Sequence, residues 1–187
     1  VYATAPFAEA TTIAGPLTAE LWVSTSEADA DWIVKLIDVF PGDAVDPEGM
    51  ATGDHLGGYQ MMVRSEVFRG RFRDDYSKPR PFVAGRPTRV AIPLQDVLHT
   101  FEKGHRVMIQ VQSSWFPLVD RNPQKFMDIA KAVDADFVKA THKVHRGSSV
   151  TLSVVAIWAV WSGGSEPSSR AAIWPFTLRR LKNKRFW

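Results

Sequence analysis

Three arginines at alternate positions, Arg69, Arg71 and Arg73, lead the residues able to do chemistry, separated only by Gly70 and Phe72. In an extended segment this spacing projects all three guanidinium groups from one sheet face. Like charges in a row are unfavourable unless acids face them, and guanidinium suits bidentate carboxylates. Asp74, Asp75 or a neighbouring domain would supply those acids. Both an interdomain contact and a ligand surface fit the stripe. A phosphate site would bring helix termini or glycine amides with it, which favours the interdomain contact.

The other candidates are weaker as sites. His142 and His145 lie three apart in an extended segment and so face opposite ways, which is wrong for joint metal ligation. His99 and His105 flank the turn at 100–104 and can approach across it, but zinc would need a third ligand, so structural hydrogen bonding is the expected use and no metal is assigned. Asp43, Asp46, Glu48 and Asp54, with Asp38 at the entrance, offer calcium-type oxygens in a spacing that matches no EF-hand. Asp29 and Asp31 precede a strand, where capping of turn amides is the default. Ser113 and Ser114 lie near Asp120, yet no Gly-x-Ser-x-Gly elbow occurs, and their expected role is to satisfy loop backbone groups. No catalytic residue is assigned. For sugar binding, Trp22, Tyr59, Trp115 and Phe116 are the aromatic candidates, and Glu20 and Glu66 the carboxylates that would have to face each other across a cleft.

The elements that must position these groups are mostly strands. Leu17, Ala19, Leu21 and Val23 alternate with Thr18, Glu20, Trp22 and Ser24, a half-buried strand after a Gly15-Pro16 turn. The run 32–40 is apolar on both faces and belongs at the centre of a sheet, where Lys35 needs a carboxylate or carbonyl partner. Residues 42–57 form a long loop, 58–73 a strand, and 89–94 another after a Pro-rich connection. In 106–113, Val107, Ile109 and Val111 oppose Met108, Gln110 and Gln112, and Pro117, Asp120, Asn122 and Pro123 then impose an ordered irregular loop. Residues 124–133 are the one helical candidate, with Phe126, Ile129, Ala130 and Val133 at helical spacing. Strands near 137–145 and 149–155, joined at Gly147-Ser148, close the fold. Many strands, one short helix and no internal repeat indicate an all-β, two-sheet β-sandwich.

The segment Gly104-His-Arg-Val-Met-Ile-Gln-Val-Gln-Ser-Ser-Trp-Phe-Pro-Leu-Val-Asp-Arg-Asn-Pro-Gln resembles the C-terminal β domain of the X-Pro dipeptidyl-peptidase and cocaine esterase (CocE/NonD) class of serine hydrolases. Within that class it is most similar to the α-amino-acid ester hydrolases, through Ala14-Gly-Pro-Leu-Thr-Ala-Glu-Leu-Trp-Val-Ser-Thr, Asp29-Ala-Asp-Trp-Ile-Val-Lys-Leu-Ile-Asp-Val-Phe-Pro, Gly58-Tyr-Gln-Met, Phe68-Arg-Gly-Arg-Phe, His99-Thr-Phe-Glu-Lys-Gly-His-Arg and Phe137-Val-Lys-Ala-Thr. The resemblance implies jelly-roll connectivity over residues 1–155. It also implies a partner α/β-hydrolase domain, earlier in a longer protein, that carries the nucleophile, and an accessory role here: packing on that domain, shaping its acyl pocket and supporting homo-oligomers. The triad maps onto no residue of this chain. Arg69, Arg71, Arg73, Trp115, Phe116, Asp120 and Asn122 form the expected interdomain or ligand surface. A free-standing carbohydrate-binding or carbohydrate-active module, with Trp22, Tyr59 and Trp115 as its platform, is the alternative.

Composition bounds the rest. The 187 residues are 45% hydrophobic and 23% charged, enough for one full core. No cysteine is present, which excludes disulfides and thiolate metal sites and leaves the compartment open. No run reaches the roughly 18 apolar residues of a membrane span, and no cofactor motif appears. The net charge of +3 comes from the end of the chain, where Arg170, Arg179, Arg180, Lys182, Lys184 and Arg185 face only Glu166. A nucleic-acid partner is therefore not expected from the overall charge, and none is expected at a membrane. Residues 156–187 also hold four of the seven tryptophans and a Gly/Ser-rich stretch. They are read as an appendage foreign to the domain, vector-derived or frame-shifted, and the start at Val1 inside a family motif is read as that of an excised part.

Overall fold

The computed structural model describes residues 1–156, 172–177 and 184–186. Ten strands build it: β1 (Tyr2–Ala3), β2 (Thr11–Thr25), β3 (Asp31–Val39), β4 (Gln60–Arg69), β5 (Thr88–Phe101), β6 (Arg106–Gln112), β7 (His142–Val144), β8 (Ser149–Ala156), β9 (Ala172–Thr177) and β10 (Lys184–Phe186). One antiparallel sheet runs β1-β6-β3-β4. The other runs β10-β7-β2-β8-β9, with β5 also paired to β2. Because β2, β5 and β7 belong to the second sheet and β3, β4 and β6 to the first, the chain crosses between layers repeatedly, as in the jelly-roll sandwich expected from the sequence.

Alternation explains the core. Leu17, Ala19, Leu21 and Val23 of β2 point inward and are buried, against Trp32, Val34 and Leu36 of β3 and Val107, Ile109 and Val111 of β6. Each large side chain so enclosed contributes about 1.5–3 kcal/mol. The outer-face Ile33 and Ile37 are buried as well, so β3, flanked by β6 and β4, is covered on both sides.

Four local expectations need correction. Gly15 and Pro16 make no turn: β2 runs straight through them, and the register against β5 slips between Gly15 and Leu17, a bulge. The strand expected over 58–73 stops at Arg69, and Gly70–Phe72 is a 3-10 turn. Gly70 explains the stop, since its backbone lies so close to Phe82 and the Ala30 carbonyl that a Cβ would sit 2.6 Å from the Phe82 ring. Residues 124–133 form no α-helix. One 3-10 turn lies in that range, Ile129–Lys131, and a second follows it at Asp134–Asp136; the backbone of 122–128 is held by side-chain partners instead. The strand expected near 137–145 is confined to β7. The Gly147-Ser148 turn forms as expected, with Gly147 at φ +90°. Of residues 156–187, most lie outside the described residues; β9 pairs with β8 and β10 with β7.

Candidate functional site, a loop surface locked from beneath

The long loop from Ser113 to Thr141 is fastened to the sandwich by a buried polar cluster. Asp31 begins β3 and Asp29 lies two residues before it; Arg69 ends β4, and Arg71 lies in the turn after it. The Arg71 Nε donates to Asp29 Oδ2 at 2.8 Å, its Nη2 reaches the same oxygen, and its Nη1 donates to the Met127 carbonyl at 2.7 Å. Arg69 Nη1 lies 3.3 Å from Asp31 Oδ2. Asn122 completes the cluster: its Nδ2 donates to Asp29 Oδ2 at 3.0 Å and to Asp31 Oδ1 at 2.9 Å, while its Oδ1 accepts from the Gln124 amide at 2.8 Å. One side chain thereby binds two carboxylates of the sheet and turns the loop backbone.

The arginines thus do not form a stripe. The 3-10 turn breaks the alternation, so Arg71 swings inward while Arg73 donates to the carbonyls of Gly70, Arg80 and Pro81. Their acids are Asp29 and Asp31, not the exposed Asp75; Asp74 meets only Arg73, at 3.9 Å, and Arg80. Nor do Asp29 and Asp31 cap turn amides; they are buried ion-pair partners. The pairing of Asp-x-Asp with Arg-x-Arg, two acids and two bases at the ends of neighbouring strands, is the signal in the sequence that would have found them. Burial raises Asp31 to a pKa of about 6, more than the Asn122 hydrogen bond and Arg69 lower it, with the charge of Asp29 raising it further and that of Arg71 lowering it.

Above the lock, the loop carries an apolar surface. Phe116 is 64% and Leu118 63% exposed, and Phe126 and Val133 are exposed as well. Arg121 lies over Phe137, 4.9 Å from its centroid, and near Phe116 at 5.7 Å. Trp115 instead folds back onto the sheet, where the Lys35 ammonium sits 3.7 Å from its ring centroid. This aromatic face, rather than a carboxylate or carbonyl, partners Lys35, whose pKa is lowered by desolvation. Asp120 is exposed beside this surface.

Elsewhere the candidates scatter. Trp22 lies on β2 of the second sheet, Tyr59 precedes β4 and packs at a tilt 5.6 Å from Phe40, and no ring contact joins Trp22, Tyr59 and Trp115 among the described residues. Glu20 pairs with Arg89 at 2.6 Å, whereas Glu66 accepts from the Val67 amide on the other sheet, so the two do not face each other. His99 and His105 do converge, but on Asp38: its two oxygens lie 2.9 Å from His99 Nε2 and 2.9 Å from His105 Nδ1. Asp38 is buried there and turned away from the 42–57 loop, where Asp46 binds His55 and the Leu56 amide. No group of three or more metal-type ligands occurs among the described residues. Ser113 and Ser114 line a cleft of about 320 Å³ with Trp32 and His142. The His142 Nε2 is taken by Gln124 Oε1 at 2.9 Å, and burial lowers its pKa. The serine–imidazole contact that forms is Ser24 Oγ with His145 Nε2, at 2.8 Å, on a serine only 3% exposed.

Comparison with known proteins agrees with this architecture. Residues 1–155 match the family described as the X-Pro dipeptidyl-peptidase C-terminal non-catalytic domain. Cocaine esterase of Rhodococcus sp. (strain MB1 Bresler) is 33% identical over 146 residues, covering 78% of this chain and 23% of the esterase. Among solved structures, an aminopeptidase from a marine-sediment Thaumarchaeota archaeon is 47% identical with a TM-score of 0.70, covering 76% of this chain and 23% of that one. An α-amino acid ester hydrolase is 42% identical with a TM-score of 0.74, covering 82% and 25% respectively. The chain therefore spans about a quarter of the length of these relatives.

Proposed function

The chain belongs to the family of X-Pro dipeptidyl-peptidase C-terminal non-catalytic domains, and from that premise we propose that it is the accessory β domain of a serine hydrolase acting on acyl esters or amides. Its role is to pack on an α/β-hydrolase domain and to shape the rim of that domain's acyl pocket. The names of its relatives, an aminopeptidase, an α-amino acid ester hydrolase and a cocaine esterase, support a parent that cleaves acyl bonds.

The observation that carries the reading is the exposed Phe116 and Leu118 on a loop fixed by buried Asn122. Exposed aromatic and aliphatic side chains on a rigid support are what a buried interface needs at its centre, because little ordering entropy remains to be lost on docking. Arg121 beside Phe116 supplies the polar rim. No observation favours the sugar-binding alternative, whose three aromatic residues lie on separate elements.

The test is association. The 187-residue chain is mixed with the separately produced hydrolase part of its parent protein, and binding is followed by calorimetry alongside turnover of a chromogenic acyl ester. We expect binding that Phe116→Ala weakens by about thirtyfold, the size of a hot spot, with Leu118→Ala adding to it and no turnover by the β domain alone. Binding indifferent to both substitutions overturns the assignment of this surface.

A further inference from the structure

On one flank of the sandwich β4, which ends the first sheet, runs beside β5 of the second without joining its ladder. Arg64 ties the two at one point, its Nε donating to the Asp96 carbonyl at 2.8 Å. Further along β4 lies a cavity of about 300 Å³. Glu66, Phe68 and Arg69 line it from β4, Phe72 and Tyr76 from the chain after that strand, and Pro93 from β5. None of these residues belongs to the Phe116 loop.

Two charged residues line the cavity, and only one of them has an ion-pair partner. Arg69 is engaged by Asp31, with Nη1 3.3 Å from Oδ2. Glu66 is half-buried and forms no ion pair among the described residues. Its Oε1 accepts from the Val67 amide at 2.9 Å, and among the same residues its Oε2 accepts nothing. A carboxylate partly withdrawn from water is stabilised by a cation that donates hydrogen bonds to it. The rest of the lining suits the same charge, since aromatic faces attract cations. The Phe72 and Tyr76 rings lie nearly parallel, 25° apart in plane with centroids 6.4 Å from each other. Tyr76 is 75% exposed, yet its place in the chain is fixed. Asp75 Oδ1 accepts from the Ser77 amide and hydroxyl, both at 2.7 Å, and the Asp75 carbonyl accepts from the Lys78 amide at 3.3 Å. A closed turn thus holds an exposed ring at the cavity, a wall formed before any ligand arrives.

We propose that this cavity binds an organic cation, a primary ammonium on a short apolar or aromatic stem, with the ammonium on Glu66 Oε2 and the stem against Phe72 and Tyr76. Glu66 disfavours an anion, and a neutral ligand leaves its charge uncompensated. Free amines and the lysine side chain of a peptide share this chemistry. The inference is independent of the hydrolase partnership proposed above.

NMR titration of the 187-residue protein tests it, read at the Val67 amide that Glu66 already holds. The probes are benzylammonium, Nα-acetyl-lysinamide for the peptide source, and benzyl alcohol as the uncharged control. A saturable shift is expected with the cations, and binding at least about tenfold weaker with benzyl alcohol. Glu66→Gln keeps an acceptor for the Val67 amide while removing the charge, and should weaken cation binding by at least about tenfold. Tyr76→Ala, at an exposed ring, should weaken it by about threefold. Tighter binding of the lysinamide than of benzylammonium upholds the site and assigns it to a peptide side chain; the reverse order assigns it to free amines. The proposal is overturned by the absence of a saturable shift with either cation, or by equal affinity in Glu66→Gln. Benzyl alcohol binding as tightly as benzylammonium also overturns it, because the cavity is then only an apolar crevice.

Discussion

Arg71 reaches Asp29 across the edge of the first sheet with two nitrogens on one carboxylate oxygen, and neither side chain is more than 10% exposed. Removing one member of a buried pair strands the other charge, which costs about 3–5 kcal/mol. Arg71→Met or Asp29→Ala should therefore lower stability in urea by that amount. Replacing both, with Asp29→Leu and Arg71→Met, should cost less than either alone, because no charge is then left buried. Additive losses in the double variant would mean that the two residues act independently and that the lock is not a pair.

Asp31 should make stability fall as pH rises. Its folded pKa, about 6 against the usual 3.8, is raised chiefly by burial, so the folded state holds this proton more tightly than the unfolded chain does. The contribution is complete below about pH 4 and is lost as pH rises through about 6. Asp31→Asn should abolish that slope in denaturation series between pH 4 and 7 while keeping an acceptor for Asn122. A slope unchanged in the variant would assign it to another group.

His142 works in the opposite sense. Burial holds its imidazole below the usual 6.5, so the folded state prefers the neutral ring, whose Nε2–H donates to Gln124 Oε1. Its contribution is present above about pH 6.5 and is lost as pH falls through the lowered folded value. In an Asp31→Asn background, where the opposing carboxyl is silent, acidification from pH 7 should destabilise the protein, and adding His142→Gln should remove most of that loss. Persistence of the full loss in the double variant would rule His142 out.

Alternation made the sandwich legible. The inward sets of β2 and β6 and the doubly covered β3 follow from period-two patterning, and the buried residues are those the pattern selects. The site was legible only in part. Asn122 and Phe116 were singled out with the loop that holds them, but the partners of the arginines were not, because they depend on where β4 stops. That stop is set by the contact of Gly70 with Phe82, twelve residues further along the chain, which no local spacing reveals. The helix expected over 124–133 fails for a related reason: Gln124 is held at φ +70°, outside the helical region, by its contacts with Asn122, and Arg71 takes the Met127 carbonyl that a residue one turn on would have bonded. Likewise, His99 and His105 do approach each other, but through Asp38 on β3, a long-range partner that a reading of their shared turn omits.

Trp115 separates the part of the loop that faces the sheet from the part that faces outward. Its ring covers Lys35, with the ammonium 3.7 Å from the centroid, while the adjacent Phe116 projects into solvent. A cation over an indole face at a half-buried site contributes about 0.5–1 kcal/mol, and desolvation of the ammonium works against it. Lys35→Met should therefore change stability little, whereas Trp115→Leu should lower it by about 1 kcal/mol through lost cover and the lost ring together. If the pair is coupled, the double variant should be more stable than Trp115→Leu alone, since methionine no longer has a charge to shield. A double variant that loses the sum of both single effects would show that Trp115 is held by the apolar sheet surface and not by Lys35.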